Sequence, residues 1–244
     1  MNKESQMFSN SPDIPQHNER IFVETEGHEK EITEEQKEQW RQILRELPVA
    51  VNNFYGDPVI QWKNTIEKLE SLEKSRHAGP VGIIMKGKLN EGTVAELKEK
   101  KAKGLNLVTL ISISELPELE GTGSAHRYEN IRMLTEAGVP AIAYIRPMMP
   151  PFNTSEEVIG KIFSQLKEAG CTSAVTSGFR GDEALVERLA PDERVQWAMR
   201  VKVMPGEIFE RIKKHAEANG IQLFTRTACA VSAARNVLPV EPAW

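Results

Sequence analysis

Five short segments carry polar, charged or glycine-rich residues directly after apolar runs, at 52–58, 86–88, 112–115, 146–147 and 176–181. Lysine or arginine at such positions can bind a carboxylate, and an aspartate such as Asp57 can bind an ammonium group. Serine or glutamate can bind ribose hydroxyls, and backbone left open after Ser177 can meet the edge of an adenine ring. The mixture predicts a binding site for a small zwitterion that carries a ribose.

Each segment also has a simpler interpretation. The tripeptide Gly56-Asp57-Pro58 is a common turn, Lys86 can be a solvated strand end, and the segment at 176–181 can be an ordinary loop. Their shared position favours the functional interpretation, because the segments that follow the strands of a parallel barrel meet at one rim and build its site.

These segments lie within a repeated alternation of strand and helix patterns. Apolar runs rich in β-branched residues predict strands at 21–25, 49–54, 81–85, 105–113, 141–145, 173–176 and 221–224. Helical patterns lie between them, at 33–47, 62–76, 91–103, 125–137, 155–169, 182–190 and 205–219. Thr33 and Gln36 have the chemistry of a capping box at the start of the first helix. Glycine directly after a helix, as at Gly138 and Gly170, is typical of a left-handed helix end.

The alternation predicts an α/β fold with right-handed crossovers and a parallel sheet. The Gly-x-Gly-x-x-Gly turn of a Rossmann sheet is missing after the first strand, which favours a partial TIM-type (β/α) barrel. We expect the barrel to span 21–236, between a disordered N-terminal arm at 1–20 and a C-terminal tail at 237–244.

Composition excludes several classes of protein. The net charge of −4 gives no broad electrostatic surface for nucleic acid. No apolar run has the length of a membrane span, and the polar N-terminus has no apolar segment typical of a secretory signal. The 2 cysteines indicate neither a disulfide scaffold nor an oxidising compartment. We therefore expect a cytoplasmic globular protein.

Four stretches in the same order closely resemble a known superfamily. They are VNNFYGDPVIQWKNTIEKLESLEKSRHAGPVGIIMKGKL, LISISELPELE, HRYENIRMLTEAGVPAIAYIRPMMP and AVTSGFRG. They resemble radical S-adenosylmethionine (SAM) proteins of the spore photoproduct lyase-like, DNA-repair-photolyase-like group. The similarity covers about 49–235, and it implies the radical SAM kind of partial barrel.

The resemblance also implies roles for residues at the rim. Gly56, Asp57 and Pro58 match the second-strand motif that receives the SAM amino group, and Lys86 matches a lysine–glycine pair. The remaining matches lie on later strands: Ser112, Ser114 and Glu115 on the strand that contacts ribose, Arg146 at the end of the fifth strand, and Ser177 and Gly178 in the adenine-side loop.

The sequence departs from this superfamily at the iron–sulfur cluster. Radical SAM enzymes hold a [4Fe–4S] cluster with Cys-x3-Cys-x2-Cys, whereas the segment at 26–32 is short and contains no thiol. Cys171 and Cys229 stand far apart. We therefore expect no cluster bound by this chain alone.

Three functions stay open on this evidence. The first is a degenerate radical-SAM-like protein that keeps a SAM or nucleoside pocket and acts as a binding protein or as the subunit of a protein partner. The second is a radical enzyme whose cluster segment is missing from this chain or supplied by a partner. The third is a non-radical enzyme that uses the same pocket, with Asp57, Glu115, His126 or Cys229 as base or nucleophile.

Other candidate residues have weaker patterns. Glu24, Glu26, His28 and Glu29 have no second histidine at metal-ligand spacing, which makes a metal site the less favoured interpretation. Cys171 is expected in the core, and Cys229 either faces the site or is a buried small residue. His77, His215 and the basic run at 98–103 are expected at the surface.

Overall fold

The computed structural model describes residues 33–51, 56–121, 123–179, 181, 183–189, 193, 196 and 204–234. In this part of the chain six parallel strands form one sheet in sequence order. They are β1 (Val49–Ala50), β2 (Pro80–Met85), β3 (Asn106–Ile113), β4 (Ala141–Met148), β5 (Ser173–Gly178) and β6 (Gln222–Phe224). The α/β class and the parallel sheet are confirmed. The predicted strand at 21–25, the arm at 1–20 and the tail at 237–244 lie outside the described residues.

Nine helices are described alongside these strands. They are α1 (Glu34–Glu46), α2 (Trp62–Lys74), α3 (Glu91–Ala102), α4 (Pro117–Glu120), α5 (Ala125–Glu136), α6 (Glu156–Glu168), α7 (Glu183–Leu189), α8 (Gly206–Ala218) and α9 (Thr227–Ala234). The capping box of Thr33 and Gln36 is confirmed. Gly138 and Gly170 end α5 and α6 with φ of 73° and 74°, a backbone conformation that glycine adopts without a steric penalty.

The two faces of the sheet are covered differently. Helices α2, α3, α5, α6 and α8 pack on one face, where alternate strand residues such as Ile83, Ile111 and Ile145 form the main core. This face is called the helix layer below. The second face carries a smaller cluster of Val108, Leu110, Ile142, Tyr144 and Val175, on which Ala230 and Val231 of α9 pack. Among the described helices, α9 alone therefore packs on the amino-terminal half of the second face.

Helix α1 is formed as predicted, but its apolar face is not buried. Trp40 is 50% exposed, Ile43 49% and Leu47 40%. The end of α1 is nonetheless fixed, because the backbone N–H groups of Ala78 and Gly79 donate to the carbonyl of Arg45.

Two predictions of surface positions are wrong. His77 is only 6% exposed, because the chain folds back after α2 and the His77 N–H donates to the carbonyl of Leu72. Lys100, within the basic run, is also 6% exposed. Its ammonium lies 3.0 Å from Glu73, and this contact lowers the pKa of the Glu73 carboxyl. A cation can be buried in this way because a carboxylate on α2 pairs with it.

The two cysteines differ in their surroundings. Cys171 is buried as predicted, its thiol donates to the carbonyl of Ser173 at 3.2 Å, and burial raises its pKa. Cys229 lies on α9 and is partly exposed. Since the thiolate is the nucleophile, we expect iodoacetamide to label Cys229 in the native protein at least about tenfold faster than Cys171. Peptide mass spectrometry measures both rates, and in urea they should converge. Equal labelling without denaturant would contradict the burial of Cys171.

Candidate functional site

The strand register relates several of the predicted residues near the carboxyl ends of β3, β4 and β5. Ser112 pairs with Tyr144, and Tyr144 with Val175. Ile145 pairs with Thr176, and beyond this pair the register shifts, so that Met148 pairs with Gly178. Arg146 and Ser177 therefore follow the last regular pair. Because side chains alternate along a strand, Ser112 and Tyr144 share the face that carries α9 nearer its other end.

Arg146 is held against an aromatic ring on this face. Its guanidinium carbon lies 4.0 Å from the centre of the Tyr144 ring. Tyr144 is 3% exposed and belongs to the cluster that Ala230 and Val231 of α9 complete. Arg146, at the polar end of the second face, thus lies over a ring that is packed among apolar side chains of the strands and of α9.

The Gly56-Asp57-Pro58 turn and the Lys86-Gly87 pair form one unit. The Asp57 carboxylate accepts the N–H of Val59 at 2.8 Å and also the backbone N–H of Lys86. A Cβ on Gly87 would lie 2.9 Å from the Cβ of Val59 and 3.2 Å from Oδ1 of Asp57. Glycine at 87 therefore permits the close approach. Asp57 joins the segment after β1 to the end of β2, although a carboxylate with two such bonds keeps further acceptor sites.

Side chains from the first turns of α5 form hydrogen bonds with the same segment. His126 Nε2 lies 2.8 Å from the carbonyl of Lys86. The Asn130 side chain donates to the carbonyl of Gly87 at 2.8 Å and accepts the N–H of Leu89 at 2.9 Å. Asn130 is fully buried and was not identified from the sequence.

A buried arginine connects β3, α4 and α5. Arg127, 3% exposed, donates to the carbonyl of Ser112 at 3.2 Å, the hydroxyl of Ser114 at 3.1 Å and the Glu120 carboxylate at 2.6 Å. Glu120 also lies 3.3 Å from the ammonium of Lys86. Arg127 was not predicted as a site residue, but its spacing from Ile131 and Leu134 places it on the buried face of the helix.

The Glu120 carboxyl is ionised well into the acid range. Burial acts to raise its pKa, but hydrogen bonds from Ser114 and Arg127 and the charges of Arg127 and Lys86 lower it overall. A carboxyl with a depressed pKa stabilises the fold above its unfolded-state pKa, and this contribution is lost as the pH falls through the folded-state pKa.

We expect Glu120→Gln to lower the free energy of unfolding by about 2 kcal/mol at pH 7. The deficit relative to the wild type should shrink as the pH falls below the usual glutamate range, because the wild-type carboxyl then becomes protonated as well. Urea unfolding of both proteins at several pH values measures this difference in the free energy of unfolding. A deficit that stayed constant down to pH ~2 would contradict the depressed pKa.

Ser114 and Glu115 turn toward the helix layer, away from Arg146. The Ser114 side chain is bound by Arg127, and the Glu115 carboxylate accepts the Tyr128 hydroxyl at 2.9 Å and pairs with Lys161 at 3.0 Å. Glu115 has a left-handed backbone with φ of 47°. Burial, followed by the Glu115 charge, raises the pKa of Tyr128 far above its usual range, so the phenol stays a hydrogen-bond donor. The structure therefore does not bring these two residues together with Ser112 on the second face.

The rim segment at 176–181 is described except for Arg180. Ser177 is half-buried and its hydroxyl lies 3.5 Å from the carbonyl of Gly178. Arg180 and residues 52–55 lie outside the described part of the chain.

The thiols do not fit a three-cysteine cluster. Cys171 lies in the helix layer and Cys229 on α9, and the sequence holds 2 cysteines in total. Among the described residues no group of three or more histidine, cysteine, aspartate or glutamate side chains is placed to hold a metal ion. Glu24, Glu26, His28 and Glu29 lie outside them.

A cavity of about 420 Å³ lies at the opposite end of the sheet. Thr135, Pro140, Thr172, Ser173, Gln222 and Ala234 are among the residues that line it. It is formed by the turns that enter β4, β5 and β6 and by the end of α9, so it is separate from the predicted site residues.

Comparison with known proteins supports the fold. No protein-family model matches the chain, and no curated protein matches its sequence. Among solved structures, it is similar to a domain of pyruvate-formate lyase-activating enzyme from Bacteroides vulgatus ATCC 8482, with a TM-score of 0.50 and 14% identity. The match covers 72% of this chain and 97% of that domain.

At this identity the similarity shows the fold alone. The sheet and its alternating helices are consistent with the predicted partial TIM-type barrel. None of the helices in the described part of the chain has the length and apolarity needed to cross a bilayer.

Proposed function

We propose that this protein binds SAM or a related nucleoside at the carboxyl ends of β2 to β5. It acts through that binding, alone or as the subunit of a protein partner, without a cluster held by its own cysteines. The observation that carries the proposal is that Arg146 lies over the Tyr144 ring at the carboxyl end of β4, with Ser112 of β3 paired to Tyr144 and Ser177 of β5 directly after the Ile145–Thr176 pair.

Residues near the carboxyl ends of these strands supply groups that such a ligand requires. Arg146 offers a guanidinium to a carboxylate, and Ser112 offers a hydroxyl to ribose. Backbone beside Ser177 and Gly178 offers donors and acceptors to an adenine edge. Asp57 accepts the ammonium group with the acceptor sites left by its two backbone hydrogen bonds.

The resemblance of the sequence to the spore photoproduct lyase-like group supports the choice of ligand. The segments that carry it include the Asp57 turn, the Lys86-Gly87 pair and the end of β4, and in the structure the first two contact one another directly. Membership of that group is part of the proposal.

A second candidate is a radical enzyme whose cluster is supplied by a partner or by a segment outside this chain. The similarity in fold to a domain of an activating enzyme favours it. Anaerobic reconstitution with iron and sulfide tests it, with and without proteins that co-purify. Production of 5′-deoxyadenosine only with a co-purified protein would favour this candidate over the first.

Calorimetric titration of SAM into purified protein of measured iron content tests the first proposal. We expect a Kd of about 1–100 μM in iron-free protein, and a loss of at least about tenfold in Arg146→Leu. Arg132→Leu is the matched control, since this exposed arginine pairs with Glu129 and Glu136 on its own helix, α5. If iron-free protein binds neither SAM nor adenosine, the proposal is wrong.

A further inference from the structure

Tyr144 and Arg146 form a cation–π pair whose two members have different surroundings. They are two residues apart on β4, and their contact places both side chains on the same face of the sheet. Tyr144 is buried among the apolar side chains of β3, β5 and α9, whereas Arg146 is partly exposed at the carboxyl end of the strand. The apolar neighbours thus fix the position of the ring, and the guanidinium carbon of Arg146 lies 4.0 Å from the ring centre.

This geometry orients the guanidinium. A cation over an aromatic face is attracted by the ring, and arginine can stack with its plane parallel to that face. The N–H donors of a guanidinium lie in its plane, so a stacked arginine directs them sideways rather than into the ring. They can then form the paired hydrogen bonds that suit a carboxylate or a phosphate.

We infer that the ligand carries an anionic group received by Arg146, and that Tyr144 is the positioning residue that makes the site prefer anionic over neutral nucleosides. The inference deepens the proposed function and rests on it for the choice of nucleosides. The shared chemistry is an oxyanion that presents two oxygens to the guanidinium, which a carboxylate or a phosphate can supply.

The experiment compares four probes by calorimetry: SAM, which has a carboxylate; AMP, which has a phosphate; 5′-methylthioadenosine, which has no anionic group; and inorganic pyrophosphate. In wild-type protein we expect SAM or AMP to bind at least about tenfold more tightly than 5′-methylthioadenosine. Which of the two binds tighter identifies the anionic group as a carboxylate or a phosphate.

Variants of Tyr144 separate positioning from folding. Tyr144→Leu should weaken binding of the preferred anion by about three- to thirtyfold, the factor that a cation–π contact contributes, and leave 5′-methylthioadenosine within about twofold. Tyr144→Phe keeps the ring and should keep the preference. Leu110→Ala, in the same apolar cluster, should lower stability without changing the ratio of the two affinities. Arg146→Leu should remove the effect of Tyr144→Leu in a double-mutant cycle.

The outcomes distinguish this inference from the proposed function. Equal binding of SAM and 5′-methylthioadenosine, or a preference that survives Tyr144→Leu, overturns the inference and leaves the proposed function standing. If no nucleoside binds but pyrophosphate does, and Tyr144→Leu weakens it, the proposed function is wrong and the anion site stands. If no probe binds, both are wrong. Should Tyr144→Leu fail to fold, Arg146→Lys provides the same test, because an ammonium has no planar set of donors.

Discussion

Replacing Arg127 by methionine is expected to lower the free energy of unfolding by about 3 kcal/mol. The change removes the hydrogen bonds to the Ser112 carbonyl and the Ser114 hydroxyl and the pairing with Glu120. The Ser112 carbonyl and the Ser114 hydroxyl are then left in a buried region without their donor, which is costlier than losing a hydrogen bond in water. Arg127 and Lys86 are the two cations that contact Glu120 in the described structure. After the substitution only Lys86 remains, and its side chain is the more exposed of the two.

Arg132→Met on the same helix is the control. Arg132 also pairs with two carboxylates, at 2.5 Å and 2.8 Å, but its side chain is about half exposed. Exposed pairs of this kind contribute about 0–1 kcal/mol. Urea unfolding of both variants measures the difference. Equal losses for the two would show that burial of Arg127 does not have the effect inferred from the structure.

Replacing Gly87 by alanine is expected to separate the Asp57 turn from the end of β2. The added Cβ would meet the Cβ of Val59 at 2.9 Å, and neither of these atoms can rotate away. Forcing the turn to shift should cost about 1–3 kcal/mol of stability. It should also weaken SAM binding at least about tenfold, because a misplaced binding group loses most of its interaction.

Gly206→Ala supplies the comparison, since nothing lies within 4 Å of a Cβ at the start of α8. That change should leave binding intact and stability equal or slightly higher, because alanine is the better helix former. Thermal unfolding and SAM titration of the two variants measure both effects. Unchanged affinity in Gly87→Ala would show that the turn does not contribute to the site.

Elements with a clear periodic pattern could be predicted from the sequence. The predictions for β2 to β5 and for the helices that cover them agree with the structure to within a few residues, because apolar runs and helix-ending glycines are local signals. β4 and β5 extend farther than predicted, to Met148 and Gly178, because the backbone pairing resumes at these two residues after a register shift.

The contacts between these elements were harder to predict. The bond from the Lys86 N–H to Asp57 joins residues 29 positions apart, and nothing in either segment alone indicates it. Ser114 and Glu115 were predicted with the ribose-binding residues, but the strand ends at Ile113 and the backbone turns, so the alternation of faces does not continue. Helix α9 is rich in alanine and has little amphipathic pattern, so its sequence does not indicate which face it covers.

The position of α9 has a consequence for how the protein is made. The apolar side chains of β3, β4 and β5 on the second face are synthesised well before residues 227–234, which cover them. A nascent chain that has formed the first five strands therefore exposes Val108, Leu110, Ile142 and Val175 until the last described helix emerges. Contacts between distant parts of a chain form slowly, and exposed apolar strands aggregate. The apolar contacts that hold Tyr144 beneath Arg146 are thus completed late, and until then these strands present an apolar surface of the kind that favours aggregation.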